Sequence, residues 1–530
     1  MLKIQEDVFK DFKKSNLTQF FTQNKAMLGY SYPSKSLTIA VHELITNSFD
    51  NCINSGILPE IKIIIEYDKN YINTPHQKSR LVLTVEDNGS GIPEKHIPTI
   101  FTTFLQGTKF RINKQHMGMQ GIGATGVILF SEVETGHSGF IKTGDGATTL
   151  EADLSLNLET GESKNKITKK YKNNFRGTLI KIPLGDVLYG SGSGGVEEYI
   201  KEFFLANPYG NITLKDPEGN LIEYKRVTNV LPEKPIIEKY HPLGLDAHNF
   251  FRLLNASKYK TVGNFLAKDL QKSSNKKVKE INEKIKRNLF KIKKDTLDRK
   301  LAESIISAIH EIKWNAPSTA SLMPIGEENM LKAIDKLFTP EFKVAVTRKA
   351  RVYRGGIPFI VEIGVAWGEQ CGKKIPGGSS EPLLMRFANR VPLLFDSSAD
   401  VVTQALKDID IGRYIKSVTS YPLSIIANIN STFIPFNNAG KQAIDHDDDI
   451  SGEFKSAMFQ ALRKISAFIN KRIRKENLIS HKKTFTKYVA ESAKYLSDMS
   501  DNYKSEKEIK DNLEKMIGKI INEDEENEKE

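Results

Sequence analysis

Between Ser36 and Asn51 the chain reads SLTIAVHELITNSFDN, and this run narrows the possible folds more than any other. Leu37, Ala40, Val41, Leu44, Ile45 and Ser48 recur at three-and-four spacing, which predicts one amphipathic helix with an apolar face for a core. Glu43, Asn47 and Asp50 are four and three residues apart, so all three point the same way from that helix. Two carboxylates and an amide on one side form an oxygen-rich surface, suited to a hydrated divalent cation and an activated water. The same stripe also fits the solvated face of an ordinary helix.

Two β-rich runs follow, Ile61–Tyr67 and Leu81–Glu86, joined by residues 68–80 in the manner of a hairpin with a long loop. The second leads into Asp87-Asn88-Gly89-Ser90-Gly91-Ile92-Pro93. Glycines at alternate positions let such a turn approach a flat ligand, and Asp87 offers an acceptor to an exocyclic amine. An ordinary strand-ending turn has the same composition. The stretch Phe104–Gly126 is glycine-rich, and Gly118, Gly121, Gly123 and Gly126 precede a helical run, Val127–Phe130. Backbone N–H groups at such a helix start can cradle phosphates. No Gly-Lys-Ser/Thr follows, so the loop is not a P-loop, and it is not a dinucleotide fingerprint; a flexible linker is the alternative. Residues 132–170 read as a β-meander with a solvated insertion. Arg176-Gly177-Thr178 opens a strand over Leu179–Pro183, followed by a helix (Val196–Phe204) and two short strands, Asn211–Leu214 and Leu221–Tyr224.

A linker over Val230–Pro242 marks a change of composition. Asp246–Lys300 is predicted helical, and from Ser257 to Lys300 fifteen Lys/Arg face five Asp/Glu. Short helices over Thr261–Leu270 and Lys276–Ile285 around a tight turn fit either a nucleic-acid-binding module or a solvated lysine-rich insert. After a second linker, Pro317–Pro324, come a helix (Ile325–Phe338), β-rich segments (Lys343–Trp367, Leu383–Phe395), a helix (Val401–Asp408) and a strand (Leu423–Ile434). Lys441 ends a small-residue loop, where it is either a phosphate sensor or a surface lysine. Residues 451–515 read as long helix, and the acidic 521–530 as a disordered tail. The length of 530 residues allows two to four domains; 39% hydrophobic and 27% charged residues mark a soluble globular chain. A formal charge of +12 favours a polyanionic partner. Cys52 and Cys371 lie far apart and fit a reducing compartment without zinc or disulfides. No membrane span and no secretory leader are expected.

Taken in order, the Glu-x3-Asn-x2-Asp helix, the strand ending in DNGxGIP, the glycine-rich lid ending in GMQGIG and the later RGT strand resemble the Bergerat-fold ATPases. The basic helical insert, the second α/β region with its Ala439-Gly440-Lys441 loop, the lid segment Gly107-Thr108-Lys109-Phe110, and the phrases RFANRVPLLFD (386–396) and STFIPFNNAGKQAI (431–444) narrow the resemblance. They are similar to the family of B subunits of type IIB DNA topoisomerase (DNA topoisomerase VI), over about residues 10–470. The resemblance implies an α+β chain. Its expected parts are an N-terminal arm (1–35), a Bergerat-fold ATPase domain with a mixed sheet and helices on one face (36–230), a helix-two-turns-helix insert (231–316), an α/β transducer with a long C-terminal helix (317–470), and a helical extension with acidic tail (471–530).

It also implies roles. Glu43 would be the general base and Asn47 the Mg²⁺ ligand. Asp87 would accept from the adenine amine, Gly91 would sit beside the base, and Thr178 would support it. Gly118, Met119, Gln120, Gly121, Ile122 and Gly123 would wrap the phosphates of ATP, with Ala124 and Thr125 following where the family often has a lysine. Thr108 and Lys109 would close the lid, and Lys441 would reach the γ-phosphate. Asp50 would have a structural part. The implied partners are the DNA-cleaving topoisomerase VI A subunit in an A2B2 heterotetramer, double-stranded DNA, and a second copy on ATP binding. The implied setting is the cytoplasm and nucleoid of a prokaryote, most naturally an archaeon. Rival readings are a MutL-type repair ATPase, a non-catalytic clamp, and a chaperone, for which the chain is too short and too basic.

Overall fold

The computed structural model describes residues 25, 29, 30, 32–98, 100, 114–118, 123–158, 164–190, 192–354, 356–376, 378–415, 421–437, 440–499 and 505–526. Thr108, Lys109, Met119, Gln120, Gly121 and Ile122, and nearly all of the arm over 1–35, lie outside them. The chain divides into two compact units, residues 1–410 with 419–461, and residues 411–418 with 462–530.

In the first unit the opening helix, α1, spans Pro33–Ser55, longer at both ends than its apolar repeat. Pro33 suits the first helical turn because its missing N–H would be unpaired there, and Gly56 ends the helix in the left-handed conformation (φ 72°). Strands β1 (Glu60–Tyr67) and β2 (Arg80–Asp87) form the expected hairpin. Helix α2 (Gly123–Thr135) extends into the stretch read as meander, which starts only after Gly136 (φ 76°). Strands β3 (Gly139–Asp145), β4 (Thr148–Leu154), β5 (Lys166–Lys172) and β6 (Arg176–Gly185) follow, then α3 (Val196–Ala206), β7 (Asn211–Lys215) and β8 (Leu221–Tyr224). The eight strands make one sheet in the order β5-β4-β3-β6-β2-β1-β7-β8. It is mixed because β7 joins β1 in parallel.

Alternation sets the two faces of this sheet. Ile61, Ile63, Ile65, Leu81, Leu83, Val85, Ile180, Ile182 and Leu184 are buried together with apolar residues of α1, α2 and α3, while Lys62, Glu66 and Lys181 are exposed. All three helices therefore cover one face.

The lysine-rich segment is a separate helical cluster of α4 (Ala247–Ala256), α5 (Val262–Asp269), α6 (Asn275–Ile285) and α7 (Arg299–His310) around its own apolar core. The short helices read over Thr261–Leu270 and Lys276–Ile285 correspond to α5 and α6. Lys286 turns left-handed (φ 52°), and the chain doubles back so that Gly263 and Val262 donate to the carbonyls of Leu289 and Ile292. This turn seats Leu289 in the core.

A second sheet is built from β9 (Phe342–Thr347), β10 (Arg351–Tyr353), β11 (Ile357–Trp367), β14 (Leu383–Ala388), β15 (Val391–Pro392) and β16 (Leu423–Ser431); β12 (Lys373–Lys374) and β13 (Ser380–Glu381) form a small hairpin. Helix α8 (Glu327–Phe338) shares one apolar cluster with this sheet and with Leu205 and Ala206 of α3. Helix α9 (Val401–Lys407) lies in the crossover between the parallel strands β14 and β16. Helix α10 (Asp448–Met499) begins in the first unit and continues into the second, where α11 (Glu506–Glu526) follows. The tail read as disordered is thus helical as far as Glu526, in keeping with the helix propensity of glutamate.

Gly177, next to the buried end of β2, has φ 118°, and a Cβ there would overlap the Asp87 carbonyl oxygen; Gly136 also has positive φ but open space around it. Gly136→Ala is expected to cost about 1 kcal/mol, the left-handed penalty alone. Gly177→Ala should cost more than about 3 kcal/mol, because backbone must move. Denaturant melts of the two variants check this, and equal losses would contradict the close approach at Gly177.

Candidate active site

The period of two along β2 carries the site. Leu81, Leu83 and Val85 face the helices, and the next residue on that face is Asp87, 6% exposed. Its register partner on β6 is Thr178, and Thr178 pairs with Thr143 on β3. Three neighbouring strands therefore replace apolar side chains with polar ones at the same end. Asp87 Oδ1 accepts from the Gly89 N–H (2.9 Å) and the Thr178 N–H (3.2 Å). Ser48 of α1 also donates to the carboxylate. Burial outweighs these donors and pushes the Asp87 carboxyl up to about 6. Thr143 Oγ1 lies 3.2 Å from Thr178 Oγ1 and accepts the Ile92 N–H at 2.8 Å. Gly91 makes that approach possible: its φ is 73°, and a Cβ would collide with the Gly144 carbonyl.

On α1, the polar stripe is not a solvated face. Glu43 has a side chain only 16% exposed, Asn47 is half-buried, and Asp50 is buried. Glu43 lies against the first residue of α2, where a Cβ on Gly123 would overlap its Oε2. A carboxylate is favoured at a helix N-terminus by the helix dipole. Asp50 instead takes the N–H groups of Met117 (3.3 Å) and Gly118 (3.2 Å), the structural part expected of it. Ala124 and Thr125 occupy the first turn of α2.

The loop after β16 brings Lys441 to the same place. Lys441, Glu43, His42, Tyr199, Gly123 and Gln442 are among the residues lining one cavity of about 50 Å³, room for a water molecule or two. Lys441 is left-handed (φ 51°). The loop is pinned by Lys35 Nζ, which donates to Gln442 Oε1 (2.7 Å), and by the Ile444 N–H, which donates to the buried Asp400 carboxylate (2.8 Å). Asp400 is itself 3.3 Å from Arg386.

His42 stands 3.6 Å from Glu43 through Nε2 and 3.1 Å from the Tyr199 hydroxyl through Nδ1. Burial holds its pKa below the ordinary histidine value, with Lys441 adding to that and Glu43 opposing it. A neutral imidazole that accepts the Tyr199 O–H at Nδ1 presents its Nε2–H to Glu43.

This geometry unites Glu43, Gly123 and Lys441, with Asn47 one turn further along α1, and separately Asp87, Gly91 and Thr178. It adds Thr143, Ser48, His42, Tyr199, Lys35 and Gln442, none of which the sequence reading named as site residues. Thr143 was findable as a lone polar residue on the buried side of β3, beside Ile141. His42 and Tyr199 leave no trace in spacing. Among the described residues no group of three or more His, Cys, Asp or Glu is placed to hold a metal. Glu43 and Asn47 present hard oxygen donors one turn apart, which fits an ion that takes most of its ligands from phosphate and water.

A family model for the transducer of the topoisomerase VI B subunit matches residues 317–481. A second, for histidine kinase-, DNA gyrase B- and HSP90-like ATPases, matches residues 34–159. The chain is 36% identical over 560 residues to the B subunit of type 2 DNA topoisomerase 6 from Pyrococcus abyssi, covering 96% of each. It is 36% identical over 492 residues to the same-named protein of Methanothermobacter thermautotrophicus, covering 91% of each.

The raised Asp87 pKa has a signed consequence. Folded, Asp87 keeps its proton to about pH 6; unfolded, it loses it near 3.9. The folded protein binds the extra proton between these values, so stability falls as pH rises through that window and stays lower above it. A shift of about two units corresponds to about 3 kcal/mol. Asp87→Asn keeps an oxygen for the Gly89 and Thr178 N–H groups without the buried charge. The variant is expected to melt above the unmodified protein at pH 7.5 and to lose that advantage near pH 4, as followed by thermal melts; a pH-independent difference would contradict the assignment.

Proposed function

The chain belongs to the family of type 2 DNA topoisomerase 6 B subunits, and on that footing we propose that ATP hydrolysis between Glu43 and Lys441 drives a DNA-capturing clamp. The observation that carries this reading is the shared cavity of Glu43 and Lys441, contributed by two different sheet systems. In the proposed reaction Glu43 accepts a proton from water as the water oxygen attacks the γ-phosphorus; the bond to the β-phosphate oxygen breaks and ADP leaves. Lys441 adds positive charge beside the transferring phosphoryl group. His42 lies beside Glu43, its Nε2 3.6 Å from the carboxylate, and the Tyr199 O–H donated to Nδ1 would fix the imidazole tautomer.

Asp87 accepts from the adenine amine, with Gly91 against the base and Thr178 and Thr143 beneath it. Gly118 to Gly123, with Ala124 and Thr125 at the helix start, supply backbone N–H groups to the phosphates, and Thr108 and Lys109 close over them. Asn47 is the proposed ligand of a Mg²⁺ ion, which when bound offsets charge on the phosphates. The lysine-rich cluster is the proposed DNA contact. Lys276, Lys279, Lys284, Lys286 and Arg287 are exposed on or just beyond α6, and a groove beside it is lined by Lys284, Arg287 and Lys300. DNA cleavage is the work of a separate chain, the topoisomerase VI A subunit, docked near residues 451–480 in an A2B2 assembly. The two ATPase chains close on each other with ATP, in the cytoplasm where the nucleoid lies. No helix among the described residues is long and apolar enough to cross a membrane.

Glu43→Ala is expected to bind ATP and not turn it over, and Lys441→Ala to lose hydrolysis by about a hundredfold or more, in the range of a lost charge-stabilising donor. Equilibrium binding and steady-state ATPase assays separate the two effects; turnover unchanged in either variant removes that residue from the mechanism. Neutralising Lys276 and Lys279 together should lower the slope of log affinity against log salt by about 1.8, at about 0.9 per phosphate contact. An unchanged slope leaves α6 off the DNA. Co-purification with the DNA-cleaving chain, followed by ATP-dependent relaxation of supercoiled DNA, tests the whole reading.

A further inference from the structure

The residues leading into the phosphate loop hold a second tie to the transducer sheet, through residues other than those that fix the Lys441 loop. Gln115 is 1% exposed, and its side-chain amide and backbone N–H are all engaged. Its backbone N–H donates to the Ser321 carbonyl at 2.9 Å. Its Oε1 accepts the Met323 N–H at 2.6 Å, and its Nε2 donates to the Met323 carbonyl at 3.3 Å and to Asn430 Oδ1 at 3.0 Å. Asn430, on β16, passes the contact inward by donating to Glu362 Oε2 at 2.8 Å. Glu362 is completely buried on β11 and also takes the N–H groups of Ile325 (2.8 Å) and Gly326 (2.7 Å) and the amide of Asn428 (2.8 Å). Arg390 adds a donor to the Met323 carbonyl at 2.9 Å.

Two residues beyond Gln115, the same strand of chain is fastened to α1, through the Met117 and Gly118 N–H groups on Asp50. One short stretch thus joins the nucleotide helix to the core of the second sheet. An apolar side chain would fill the space at 115 equally well; an amide with donor and acceptor both used fixes where the stretch sits, residue by residue.

We propose that Gln115 is a positioning residue that couples the phosphate loop to the transducer sheet through Asn430 and Glu362, independently of Lys441. Phosphates that draw on the backbone at Gly118 pull on Gln115, and Gln115 moves the sheet with it. The proposal rests on the reading of the chain as an ATP-driven clamp.

The test uses the holoenzyme, this chain assembled with its DNA-cleaving partner, and follows ATP hydrolysis and plasmid relaxation in the same samples. Gln115→Ala is expected to keep KM and kcat for ATP within about threefold while relaxation events per ATP fall about tenfold or more, the size of a typical coupling loss. Gln115→Asn should fall in the same way. Gln115→Asn with Asn430→Gln, which moves one methylene from one side of the contact to the other, should recover most of the lost coupling. Should Gln115→Ala fail to fold, Gln115→Glu retains the Oε1 acceptor for the Met323 N–H and removes the Nε2 donor to both Asn430 and the Met323 carbonyl. Relaxation per ATP equal to that of the unmodified enzyme, hydrolysis and relaxation declining in parallel, or no recovery in the double variant would each overturn the proposal. An unmodified holoenzyme that hydrolyses ATP without relaxing DNA would instead defeat the functional reading, and the inference with it.

Discussion

Buried carboxylates that collect backbone N–H groups hold together nearly everything around this site. Asp87 takes Gly89 and Thr178, Asp50 takes Met117 and Gly118, Asp400 takes Val402 and Ile444, and Glu362 takes Ile325 and Gly326. Each carboxylate sits on or beside a regular element, and at least one donor in every case comes from an irregular segment. Loops near a ligand site cannot satisfy their backbone in a ladder, and an unpaired buried N–H costs about as much as a lost hydrogen bond. A carboxylate accepts two or more such groups at once and forms stronger bonds than a neutral acceptor. The fold thereby converts a few desolvated charges into fixed loop positions.

The same device explains how the second sheet comes to serve the first. Asp400 fixes Ile444, three residues past Lys441, while Lys35 of α1 holds Gln442. The left-handed backbone at Lys441 is costly for a residue with a side chain, and the contacts of Gln442 and Ile444 just beyond it help to hold it. Charge from one sheet system is so delivered to a carboxylate on the other, with Leu205 and Ala206 sharing an apolar cluster with α8 to hold the two together. Under the proposed mechanism, hydrolysis chemistry and the arrangement of the two sheets are coupled.

Much of this was legible in the residues. The period of Leu37 to Ser48 specified α1 and its buried side, and the β-rich run Leu81–Glu86 led directly into Asp87. Glu43, Asn47 and Lys441 could be named because the order of motifs supplied a family pattern; spacing alone left Glu43 and Asn47 open to a solvated face and Lys441 to a surface lysine. What was not legible depends on contacts between distant segments. His42 gains its meaning from Tyr199, Thr143 from Thr178, and Gln115 from Asn430, and no local period encodes such pairs. The end of α6 was legible, since the short helix read over Lys276–Ile285 stops where the structure stops it; the reversal that follows comes from the demand of Leu289 for the core and no local period encodes it.

Asp87, like Asp400, is an anchor at which burial outweighs the donors. Its donors leave it incompletely compensated, and burial still raises its pKa to about 6. A carboxylate in that state gains from any further donor, whereas Glu362, with donors from two backbone N–H groups and two asparagine amides, has less to gain. An exocyclic amine brought to Asp87 returns part of the desolvation cost already carried by the fold, so ligand binding at this position is bound to stabilise the protein. Under the proposed role of Asp87, this uncompensated burial favours a base amine at that position, whereas a fully satisfied residue there would make a sturdier sheet.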